Sequence, residues 1–188
     1  SMGGLVARSA CHYGALSGHA WLRHLGALVF LGTPHHGAPM ERGGNWIDTV
    51  LDSSPYTAPL ARLGKLRSAG ITDLRYGNLA DEDWQGRDRF ARGDRRRFLP
   101  LPEGVRCHAI AATALPKPRR AHRALPGDGI VPLASALGRH DDEGLDLKIP
   151  KSRQWIAYGC GHLDLLDRPD VYRRIRRCLD TTPAPASG

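Results

Sequence analysis

The chain has 188 residues, 41% of them hydrophobic and 24% charged, which excludes a wholly disordered protein and suits one domain with a sizeable core. Lys and Arg number 27 against 19 Asp and Glu, a formal charge of +8 at pH 7 that favours anionic partners such as nucleic acid or acidic lipid. No run of about 18 apolar residues is present, which excludes a membrane-spanning helix, and no signal-peptide pattern is visible.

The first stretch, "SMGGLVARSA", puts Ser1 before two glycines. Residues 5–15 then fit a helix with Val6, Ala10 and Tyr13 near one face. Gly18 and the stretch around Trp21 read as a break. In "GALVFLGTPHHGAP" the apolar run 27–31 fits a strand buried on both faces, stopped by Gly32, Thr33 and Pro34. From 40 to 100 the patterning weakens. "NWIDTVL" and "APLARLGKLRSAG" suggest short amphipathic helices, and "DEDWQGRDRFARGDRRRF" is charged and irregular. This stretch reads as an insertion, either a lid or cap over a site or a plain solvent-exposed excursion.

"VRCHAIAATAL" supplies a second strand at 107–112, followed by the Pro- and Arg-rich "PKPRRAHRALPGDG". "RQWIAYGCGH" supplies a third at 155–158, ended by Gly159 and Gly161. A final helix opens at Pro169, with Val171, Ile175, Cys178 and Leu179 at helical spacing. Residues 181–188 read as a frayed, disordered tail. Strands alternating with helices predict an α/β architecture with a mostly parallel sheet. None of Cys11, Cys107, Cys160 and Cys178 forms a CxxC pair, so no metal site is expected; one disulfide stays open.

Three polar groups fall at predicted strand ends, where ligands of such sheets bind. Ser1 is followed by Gly3, the downstream small residue of a G-x-S-x-G elbow, whose crowded turn demands small flanks. Taken alone, Ser-Met-Gly-Gly also fits a tag remnant. Asp128 lies between two glycines in "LPGDGIVPLASALG", good turn chemistry as well as a carboxylate presented to a partner. His162 follows a strand end in "YGCGHLDLL", either an exposed loop histidine or a general base; Asp164, two residues on, suits a helix or turn cap. His35 and His36 follow Pro34; alone they read as loop histidines, without the carboxylates a metal pair would need.

The order Ser, Asp, His is that of α/β-hydrolases. "SMGGLVARSA", "LVFLGTPHHGAP", "GDGIVPLASALG" and "GCGHLDLLDRPDVYRRI" resemble the lipase/esterase branch of that superfamily, and more narrowly are similar to triacylglycerol-lipase-like and GPI-inositol-deacylase-like proteins. The similarity spans both ends and the middle of the chain but not 40–100. It implies a carboxylic-ester or lipid substrate, no cofactor, and an acyl-enzyme route. Ser1 would be the nucleophile, His162 the general base, Asp128 the residue orienting the imidazole, and the Met2 N–H an oxyanion donor. His36 would line the substrate cleft. The resemblance also implies that 1–180 is the carboxyl-terminal portion of a hydrolase domain holding its last three strands. A missing amino-terminal half or a second copy of the chain would then complete the first strand's open edge, and the portion alone is expected to be unstable and of doubtful activity.

Two other readings compete. Ser1 could be an N-terminal nucleophile using its own α-amine as base, which leaves Asp128 and His162 unexplained. A non-catalytic basic domain could bind nucleic acid, but aromatics are only 6% and the arginine clusters fall mostly in predicted loops, so nucleic acid is not expected.

Overall fold

The computed structural model describes residues 2–37, 79, 98–117 and 126–180. The three apolar runs form a three-stranded sheet in the order β1-β2-β3, from Ala27–Leu31, Arg106–Thr113 and Gln154–Tyr158, all parallel. The fold is therefore α/β with a parallel sheet. The second and third strands each extend slightly past the apolar runs that predict them, because ladder pairing carries on through the polar Arg106, Thr113 and Gln154.

Burial explains why the middle strand lacks the usual hydrophobic–polar alternation. Ala109 and Ala111 face one side and pack with Val131, Leu133, Leu137, Leu147 and Ile149. Ile110 and Ala112 face the other side and pack with Leu165 and Val171, flanked by Val29, Leu31, Trp155 and Ile175. Both faces are dry, so every residue of β2 beyond Arg106 is buried. The alanines at 109, 111 and 112 are at most 1% exposed and let the covering layers approach closely.

Helices cover both faces. α1 (Met2–Leu16) and α3 (Pro169–Asp180) each pack against β1, and the single-turn α2 (Leu133–Ala136) packs against β2. α3 lies over Ile110 and Ala112 through Val171 and Ile175. Its Cys178 is buried as the spacing predicts, but Leu179 is 55% exposed, one step past the apolar stripe. For α1 the expected face is wrong. Leu5, Arg8, Cys11 and Gly14 point inward, whereas Val6 is 61% exposed and Ala10 is exposed too. The inner face combines one large apolar side chain, Leu5, with the small Cys11 and Gly14 and one buried cation. Arg8 donates to the Leu99 carbonyl and lies 3.4 Å from His35 Nδ1. After Gly18 the break resolves into a 3₁₀ turn, Ala20–His24.

All four cysteines are buried thiols, none in a disulfide. No helix among the described residues is long and apolar enough to cross a membrane. The helices expected at "NWIDTVL" and "APLARLGKLRSAG", and with them the lid, lie outside the described residues, as do the tail 181–188 and Ser1.

Candidate active site

The carboxyl ends of β2 and β3 carry two loops that meet. Beyond β3, Gly159 and Cys160 stay tied to the neighbouring strand: the Gly159 N–H donates to the Leu115 carbonyl and the Cys160 N–H to the Thr113 carbonyl. The loop then turns on Asp164, whose carboxylate accepts the Gly161 N–H at 2.8 Å. This is the capping role its position suggests. His162 sits between, just ahead of the 3₁₀ turn Leu163–Leu166, whose Leu165 is buried in the core and anchors the loop.

Asp128 reaches the same point from the loop after β2. Its Oδ1 accepts the Ile130 and Val131 N–H groups at 3.0 and 2.8 Å, which fixes the carboxylate plane. Oδ2 lies 2.7 Å from His162 Nδ1. The turn that permits this needs glycine at 127, since a Cβ there would sit 1.7 Å from the Val131 carbonyl oxygen. The Asp128 side chain is fully buried and that of His162 is 10% exposed. A buried carboxylate with two backbone N–H donors and an imidazole partner is a satisfied arrangement, the last contact short enough for a charge-assisted bond. It also dictates the tautomer: Nδ1 carries the proton towards Asp128, leaving Nε2 as the other ring nitrogen.

The end of β1 supplies the wall. Gly32 has φ +55°, and a Cβ there would stand 3.0 Å from His162 Cε1 and 2.9 Å from Leu165 Cδ1. The side chain of the next residue, Thr33, abuts Gly4 in the first turn of α1, where a Cβ would meet Thr33 Oγ1 at 2.1 Å. A chain of contacts therefore runs from the imidazole through Gly32 and Thr33 to the amino end of α1. Met2 is the first residue of that helix, so its N–H is one of the donors with no partner inside the helix.

His35 and His36 part company. His35 is 1% exposed, its ring edge-on to Phe30 at 4.6 Å. Burial, then Arg8 and His36, hold its pKa well below the usual imidazole value, so it is a neutral core residue. The His36 N–H donates to Ser135 Oγ, which in turn donates to the Gly37 carbonyl, and the His36 ring packs edge-on to His140 at 4.9 Å. These contacts tie the loop after β1 to α2.

Two positioning features escape a residue-by-residue reading of the sequence. One is the clearance at Gly32, foreshadowed only by the Gly-Thr-Pro stop. The other is Arg168, whose Nη1 donates to the Tyr158 and Gly159 carbonyls at 2.9 and 3.1 Å, while Nε and Nη2 hold Asp170. That clamp joins the start of α3 to the root of the His162 loop. Among the described residues, no group of three or more His, Cys, Asp or Glu side chains could hold a metal ion. Comparison with protein-family models, with curated proteins and with solved structures gives no match.

Proposed function

We propose that the chain carries the working groups of a serine hydrolase of the α/β-hydrolase kind, cleaving carboxylic esters through an acyl-enzyme. The observation that carries this reading is the 2.7 Å contact between His162 Nδ1 and Asp128 Oδ2 at the carboxyl rim of a parallel sheet. Three consecutive parallel strands, with the carboxylate on the loop after the second and the imidazole on the loop after the third, are what the last part of such a domain requires. The contacts running from His162 through Gly32 and Thr33 to Gly4 support Ser1 as the third member.

In this mechanism Ser1 Oγ attacks the ester carbonyl carbon while His162 Nε2 takes its proton. Asp128 holds the ring and stabilises the imidazolium that forms. The Met2 N–H donates to the developing oxyanion, and one such donor contributes about 3 kcal/mol to the barrier reduction. The imidazolium then gives its proton to the leaving alcohol. Water repeats the sequence on the acyl-enzyme and frees the acid. His36, on the loop after β1, contributes to the substrate-facing wall, and the segment 40–100 is assigned the lid.

A fluorophosphonate probe tests the proposal. The expected product is a single adduct on Ser1, found by peptide mass spectrometry and lost in His162→Ala. Adducts that persist in Ser1→Ala, or labelling that ignores His162→Ala, overturn it. Loss of activity on acetylating the terminal amine, with His162→Ala silent, would instead favour the amine-based nucleophile.

A further inference from the structure

The outer edge of β3 is open, and the alternation of the sheet shows which of its backbone groups face outward. On β2 the Arg106 N–H donates to the Gly26 carbonyl and the Ile110 carbonyl accepts the Gly32 N–H, so residues 106, 108, 110 and 112 turn towards β1. The residues between them turn towards β3. Ala109 is the register partner of Gln154, and in a parallel ladder its bonds run to the residues on either side of that partner. On β3, therefore, Trp155 and Ala157 turn inward, and Gln154, Ile156 and Tyr158 turn outward. Contacts at the end of the strand agree: the Gly159 N–H donates inward to the Leu115 carbonyl, and the Tyr158 carbonyl accepts Arg168 Nη1 from outside the sheet. At the start of the strand the Gln154 N–H is taken by the Lys151 carbonyl. Between these two caps the Gln154 carbonyl, both backbone groups of Ile156 and the Tyr158 N–H have no partner among the described residues.

A cavity of about 590 Å³ lies along this edge. Its lining includes Trp155 and Ile156, which belong to opposite faces of the strand and pack into two different core clusters, so the cavity follows the edge and not one face. Lys117, Arg139, Lys151 and Arg168 line it too, against one carboxylate, Asp170. Asp170 is spent on Arg168, which it meets at 2.6 Å. Arg139 holds the Gln154 side-chain oxygen, a neutral partner that leaves its charge uncompensated. Lys117 and Lys151 are exposed, with no hydrogen bond or ion pair among the described residues. Lysine on an open edge keeps identical strands from pairing. Two copies of this edge would bring their cations together, so the residues that reject a second copy favour an acidic strand.

We propose that the outer edge of β3 is a docking edge for an extended acidic segment of another protein, which adds to the sheet as a further strand. The segment's backbone pairs with the open groups of Gln154, Ile156 and Tyr158, a mode in which main-chain bonds give affinity and side chains give specificity. Apolar side chains in its middle meet Trp155 and Ile156. Carboxylates towards its ends meet Lys151 and Arg139 at the start of β3, and Lys117, two residues beyond Leu115, near its end. This edge does not include the Asp128–His162 pair, and its use does not depend on the hydrolase reading.

The test uses the whole 188-residue chain and a short synthetic peptide, valine alternating with threonine in the middle and glutamates at both ends. The expected result is saturable binding by calorimetry, with the Ile156 and Tyr158 amide signals moving in a ¹H–¹⁵N spectrum. Replacing the glutamates by lysines should weaken binding about ten-fold or more. The glutamate peptide methylated on every backbone nitrogen of its middle keeps its charge but has no N–H to give, and should not bind. Lys117→Glu combined with Lys151→Glu, both exposed, should reverse the preference to the lysine peptide. Ile156→Pro removes an outward N–H without removing a bond to β2 and should abolish binding. No binding of the glutamate peptide, equal binding of the lysine or methylated peptide, or amide shifts away from β3 overturns the proposal. So does self-association of the chain that Ile156→Pro abolishes, which gives the edge to a second copy. The unaltered chain with the three peptides decides the matter even if the variants fold poorly.

Discussion

Two histidines mark the two ends of one small sheet, and their surroundings are opposite. His162, at the carboxyl rim, meets a carboxylate whose remaining oxygen is held by two backbone N–H groups. His108, at the amino end, is buried with neither ring nitrogen hydrogen-bonded, and burial first, then the charges of Arg153, Arg106 and Arg174, lower its pKa. The difference comes from the chain around them. His162 sits on a glycine-flanked loop whose backbone can turn to present the ring, and Asp128 sits on another. His108 is fixed in the ladder of the central strand, so its neighbours are dictated by register and not by turns. A loop selects a partner for its imidazole; a strand must accept what the adjacent elements deliver.

The comparison can be broken most decisively at the carboxylate. Asp128→Asn keeps the shape but loses the charge and the correct tautomer, and should reduce fluorophosphonate labelling or ester turnover by about 10⁴-fold with little change in melting temperature. An unchanged rate would leave the paired histidine as a structural feature only. Gly32→Ala probes the same end by displacement. Its Cβ would press on His162 Cε1 at 3.0 Å and the backbone is in the left-handed region, so a loss of about 100-fold in kcat/KM is expected, partly recovered by nothing that restores charge.

Acid probes one buried histidine at each end of the sheet. His35 and His108 both have pKa values lowered in the fold, the first by burial, Arg8 and His36, the second by burial, Arg153, Arg106 and Arg174. The unfolded chain takes up these protons below about pH 6.5, whereas the folded chain resists them. Stability from both is therefore present above about pH 6.5 and falls as the pH drops below it, by at most about 1.4 kcal/mol per pH unit for each group. Denaturant titrations at pH 7.5 and 5.5 check the slope. The smallest effect is expected at Asp170→Asn. That carboxylate is a third exposed, and Arg168 beside it, the first cause, holds its pKa below the usual range. The pair should contribute less than about 1 kcal/mol, and Arg168 would still hold the Tyr158 and Gly159 carbonyls.

The strands were legible because each is a continuous apolar run ended by glycine, proline or a polar loop, and no helical period competes over so few residues. Asp128 and His162 were legible as a pair only through their placement at successive strand ends; singly, each is ordinary turn chemistry. The face of α1 was not legible. Apolar periodicity points to Val6, while the inner side is made by Leu5, Arg8, Cys11 and Gly14, and the partners of Arg8 are the distant His35 and Leu99. His108 was equally hidden: inside "VRCHAIAATAL" it reads as one more strand residue, and the charges acting on it come from two distant segments as well as its own strand.

The four thiols give the folded chain a built-in clock. Burial raises the pKa of every one of them, that of Cys107 to about 11, so almost no thiolate exists at neutral pH while the structure is closed. Alkylating reagents attack the thiolate, and each sulfur therefore ticks only when its own neighbourhood opens. Cys11 reports on the first helix, Cys107 on the central strand, Cys160 on the imidazole-bearing loop and Cys178 on the last helix. Pulse alkylation would time, in a single sample, which of these regions lets go first.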